Sequence, residues 1–92
     1  MEDKLREIEP KIVKLMPKKL QEGILYISLE NQVAIHLCAC GCKEKVVTPL
    51  EPALGWQLNI TNKGVSLYPS IGNFQQKCNT HYYIRDNKII WL

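Results

Sequence analysis

Three thiols fall within five residues in the run His36-Leu37-Cys38-Ala39-Cys40-Gly41-Cys42, and a fourth, Cys78, is followed three positions later by His81. Thiolate and imidazole are the ligands of tetrahedral zinc, with Zn–S near ~2.3 Å. In an extended strand Cys38 and Cys42 would stand roughly 13 Å apart at ~3.3 Å per residue, so a shared ion requires the chain to turn between them. Gly41 permits that turn because it has no Cβ. Two ligand sets fill four places. Either Cys38, Cys40, Cys42 and Cys78 hold the ion and His81 has other work, or Cys40, Cys42, Cys78 and His81 hold it and Cys38 is a strand residue. A closed site of either kind is structural, because catalytic zinc keeps one position open for water. His36 shares a strand face with Ala34 and Cys38; a lone histidine there more often sits at the surface or supports a ligand than acts as one.

Ser70 is the candidate nucleophile. It lies in Tyr68-Pro69-Ser70-Ile71-Gly72-Asn73, where Pro69 fixes a backbone angle and Gly72 and Asn73 let the following amides turn toward an oxyanion. A serine hydroxyl needs a base, and His81 or His36 could supply it. Asp86 is the nearest carboxylate for a third member, although it reads as a turn residue. The opposing reading is a serine that caps its own turn. His81 cannot both close a zinc site and serve as a base, so the two assignments compete.

The elements that must position these residues are mostly strands. Leu5, Ile8, Ile12 and Leu15 follow 3-4-3 spacing and predict an N-terminal helical segment over 1–20, capped by Asp3 or starting near Pro10 and ended by Pro17. From Gly23 the pattern shortens. Residues 24–29 and 33–38 flank Glu30-Asn31-Gln32 as a hairpin, and 45–50 form a third strand. Residues 56–61 and 65–68 flank Asn62-Lys63-Gly64, and 81–85 and 88–91 flank Asp86-Asn87. Residues 69–79 read as a loop. The expected fold is mainly β: a small antiparallel β-sandwich or partly open barrel over 23–92, with one N-terminal helix and one structural zinc site, all in a single domain of 92 residues. A chain this short has a modest core, which a metal joining a hairpin end to a distant loop would reinforce.

Composition narrows the function classes. The net charge is +3, but Lys4, Arg6, Lys11, Lys14 and Lys18 alternate with Glu2, Asp3, Glu7 and Glu9, a mixed solvated face rather than a phosphate-binding stripe. No nucleic-acid partner is expected. The charged N-terminus has no secretory h-region, and the longest apolar run is far short of the ~20 residues that span a bilayer. No membrane partner is expected, and a cytoplasmic location follows. There thiols stay reduced, so clustered cysteines read as metal ligands rather than disulfides.

The blocks VAIHLCACGCKEKVVTPLEPALGWQL, VSLYPSIGN and CNTHYYIRDNKIIW resemble a compact bacterial family encoded beside ubiquitin-like proteins and relatives of ubiquitin-activating and ubiquitin-conjugating enzymes. The resemblance covers nearly all of residues 23–92. The sequence departs from it at Lys43, where the family commonly has Gly, and at Thr80, where Ser is usual. The resemblance implies a peptidase that trims or removes a ubiquitin-like protein. It implies Ser70 as nucleophile, His81 or His36 as base, and zinc on the four cysteines. The partners would be the modifier or its conjugates, together with the conjugating enzymes. Two other classes compete with this expectation. A non-catalytic zinc adaptor would bind the modifier without turnover, and a metalloenzyme would need an open zinc site with three protein ligands and a water.

Overall fold

The computed structural model of the chain describes residues 5–51, 53, 55–72 and 80–92. Among these residues, eight strands form two four-stranded sheets. The first contains β1 (Glu9–Ile12), β2 (Ile24–Ser28), β3 (Val33–Leu37) and β4 (Lys45–Pro49) in that order. The second contains β5 (Gln57–Thr61), β6 (Gly64–Gly72), β7 (His81–Arg85) and β8 (Lys88–Trp91), again in chain order. All neighbours pair antiparallel except β1 with β2, which run parallel.

Alternation along the strands builds the core. Leu25 and Ile27 of β2, Ala34 of β3 and Val46 of β4 meet Val65, Leu67 and Ile71 of β6, Tyr82 and Ile84 of β7 and Ile89 of β8 in one buried cluster. The sheets therefore share a single core, and the chain forms two packed sheets rather than a closed barrel. The outer face of the first sheet is covered in part. Tyr26 there is 3% exposed, and its hydroxyl accepts the Gln21 amide at 3.1 Å.

The expected N-terminal helix is not present among the described residues. Residues 9–12 form a strand, and Val13–Gln21 run irregularly across the sheet. The 3-4-3 spacing is not a buried face: Ile8 is buried, but Ile12 is 54% and Leu15 81% exposed. Hydrogen bonding at two sheet edges decides this. The Ile8 amide donates to Asn87 and the Ile89 amide to the Arg6 carbonyl, so residues 6–8 extend the second sheet beside β8. The Glu9 amide then donates to Gly23 and the Val13 amide to Ile27, in the first sheet. Pro10, which has no amide hydrogen, is tolerated because β1 is an edge strand. The proposed cap, Asp3, lies outside the described residues. One further boundary differs: β6 runs to Gly72, so Ser70 sits in a strand and not at the start of a loop.

Candidate functional site

Ser70 and His81 are brought together by the β6–β7 ladder. Ile71 pairs with Tyr82 and Gly72 with His81, after a register shift between Leu67 and Ile71. Ile71 and Tyr82 point into the core. Because side chains alternate, Ser70 and His81 fall on the opposite face. Ser70 Oγ lies 2.6 Å from His81 Nε2, and both residues are half-buried. With the ring proton on Nδ1, the hydroxyl donates to Nε2, the relation of a nucleophile to its base. The backbone on each side is held. Trp56 Nε1 donates to the Ser70 carbonyl at 3.3 Å, and the Leu92 amide donates to the His81 carbonyl at 3.1 Å. Asp86 is at the other end of β7, in the turn to β8, where its amide donates to Ser66 Oγ at 2.9 Å.

His36 occupies a different environment. It is fully buried, and its Nε2 lies 2.7 Å from the Tyr82 hydroxyl, which also accepts the Ala39 amide at 3.4 Å. Its hydrogen bond thus goes to Tyr82 and not to Ser70. Nδ1 is buried with no partner among the described residues. Desolvation by burial lowers its pKa from the ordinary 6.5 to about 4, so the ring is neutral near pH 7. The unfolded chain takes up this proton at higher pH than the native one. Stability contributed by the neutral ring is therefore present above pH 6.5 and lost as pH falls toward about 4. The contribution amounts to about 3 kcal/mol. Denaturant titrations of wild type and His36→Gln across this window will show the variant with the flatter pH profile.

The cysteines gather where β3 ends. Cys38 follows the strand, and its amide donates to the Glu44 carbonyl at 2.8 Å. The chain reverses through Gly41, at φ 93°, whose amide donates to the Cys38 carbonyl at 3.2 Å. The reversal required by the sequence thus occurs where glycine allows it. Lys43 also has positive φ, 67°, a conformation that favours glycine. The Sγ atoms of Cys38, Cys40 and Cys42 all lie within 4.8 Å of one another, Cys38 and Cys40 at 3.5 Å. Thiolates bound tetrahedrally at ~2.3 Å stand roughly 3.8 Å apart. The three sulfurs therefore fit three corners of a zinc–thiolate tetrahedron. Cys78, the fourth ligand in both expected sets, lies outside the described residues, as does Asn73 of the expected oxyanion loop.

The cluster adjoins the serine–histidine pair through β7. Thr80 Oγ1, one residue before His81, is 3.4 Å from Cys38 Sγ. Three contributors escaped the sequence reading: Trp56, Thr80 and Tyr82. The alternation of His81-Tyr82-Tyr83-Ile84 could have marked Tyr82 as inward-facing. No local signal connects Trp56 with Ser70 or Thr80 with Cys38, because these contacts cross between elements.

No helix among the described residues is long and apolar enough to cross a membrane. A family model described as bacterial ubiquitination-like system serine protease (BubE) matches residues 12–92. No curated protein and no solved structure matches the chain.

Proposed function

The chain belongs to the bacterial ubiquitination-like system serine protease (BubE) family, and from that premise we propose that it is a Ser70–His81 peptidase that processes or deconjugates a ubiquitin-like protein. The 2.6 Å approach of Ser70 Oγ to His81 Nε2 carries this reading. Ser70 Oγ attacks the carbonyl of the modifier's last residue. His81 takes the hydroxyl proton and returns it to the leaving group, and water then hydrolyses the acyl-enzyme with the same histidine as base. The bond from Trp56 to the Ser70 carbonyl supports this role by fixing the strand that carries the nucleophile. His36 is assigned no proton transfer, since its Nε2 is engaged by Tyr82.

Zinc is assigned to Cys38, Cys40, Cys42 and Cys78. Engagement of His81 with Ser70 favours the four-cysteine set over the one that uses the histidine. The ion would supply a cross-link between the β3 end and the segment leading into β7. The proposed partners are the ubiquitin-like protein and its conjugates.

The test is cleavage of a modifier bearing a C-terminal extension by wild type and by Ser70→Ala, with zinc content checked in both. The wild type alone should cleave. Equal rates would remove Ser70 from the mechanism.

A further inference from the structure

The two sides of the two-sheet stack are built differently. Residues 6–12 bridge the sheets beside β8 and β2. On the opposite side β4 and β5 are the outermost strands of their sheets. There, between the β2–β3 turn and the start of β5, lies a cavity of about 310 Å³ lined by Leu29, Gln32, Leu50, Trp56, Gln57 and Leu58. Four of the lining side chains are apolar, none of the lining side chains among the described residues is charged, and the two amides belong to exposed residues. The volume is at the small end of the range for ligand pockets, ~300–1,000 Å³, and suits a single side chain.

Trp56 belongs both to this cavity and to the nucleophile. Its ring is one wall, and its Nε1 donates to the Ser70 carbonyl. β5 begins at Gln57, opposite Tyr68. Among the described residues, therefore, no strand lies alongside Pro69–Gly72 on the β5 side, and the indole N–H stands where a ladder donor would be. Tyr68, two residues before Ser70, is 65% exposed and offers an aromatic surface beside the nucleophile. A chain laid over Ser70 passes Tyr68 and the start of β5. The link between nucleophile and cavity is the indole of Trp56, which is hydrogen-bonded to the Ser70 carbonyl and lines the cavity.

We propose, resting on the assignment of Ser70 as nucleophile, that this cavity is a specificity pocket taking one apolar side chain from the extended C-terminal tail of the modifier. A charged side chain at that tail position would be desolvated against Leu29, Leu50, Trp56 and Leu58, with no opposite charge among the described lining residues to meet it, and is rejected.

The experiment replaces each of the four modifier residues before the scissile bond in turn by Asp, and measures kcat and KM with wild type, Leu29→Asp and Leu29→Trp. Leu29 sits in a turn and is 55% exposed, so neither variant disturbs the core. Labelling by a fluorophosphonate, which needs only a reactive serine, is read in parallel. One tail position should show a KM raised about tenfold or more. Both Leu29 variants should raise KM for the parent tail with kcat and labelling unchanged. A wild type that cleaves every Asp-substituted tail equally well, or Leu29 variants with the parent KM, would overturn the pocket. A wild type that neither cleaves nor labels would overturn the assignment of Ser70 itself, and the pocket with it.

Discussion

Ser70→Ala, His81→Ala and the double variant will lose activity by about the same factor, ~10⁴ or more in kcat. In the proposed mechanism the two groups act as one unit. With Oγ and Nε2 2.6 Å apart, the histidine's contribution is to take the serine's proton, and it has nothing to act on once the hydroxyl is gone. Two groups acting separately would instead give losses that multiply. Single-turnover cleavage of a modifier fusion by all three variants decides between these outcomes. His36→Gln provides the control. His36 is buried beside Tyr82, so the variant will lose stability while its kcat, measured where it remains folded, stays within a few-fold of wild type. Additive losses from Ser70 and His81, or a loss in His36→Gln as large as in His81→Ala, would assign the base elsewhere.

Removing the proposed zinc will unfold the site it ties together. The sulfurs of Cys38, Cys40 and Cys42 lie within 4.8 Å of one another, at the spacing a shared zinc would impose. Structural zinc contributes directly to folding. Chelation, or Cys40→Ser, should therefore cost about 3 kcal/mol or more, a fall in Tm of roughly 12–24 °C at ~4–8 °C per kcal/mol for a chain this size. Activity should fall with it, because Cys38 Sγ touches Thr80 and the next residue is His81. Zinc analysis should give one ion per chain, and re-addition of zinc should restore both Tm and cleavage to the chelated wild type. A chain that carries no metal, or a Tm unmoved by chelation, would remove the ion from the structure.

Much of the fold is written locally. The hairpin of 24–28 with 33–37, the 45–49 strand and the pair 81–85 with 88–91 match the sequence expectation to within a residue at each end, because two-residue alternation and turn residues such as Asp86 and Asn87 act over short stretches. The reversal at Gly41 was legible for the same reason: three thiols in five residues cannot share an ion without it. The N-terminal segment was misread because 3-4-3 spacing records only which residues are apolar. The hydrogen bonds of residues 6–13 were claimed by β8 and β2, elements far along the chain.

The sequence alone determined the strands that follow Gly23, the thiol cluster and the two residue types able to make a serine–histidine pair. It left open which histidine meets Ser70, since His36 and His81 are chemically alike on paper. Tertiary structure decided that. The β6–β7 register sets Gly72 opposite His81 and turns Tyr82 inward to His36, so one histidine faces the serine and the other is sealed in the core. Register is a relation between two strands, and no pattern within either strand contains it.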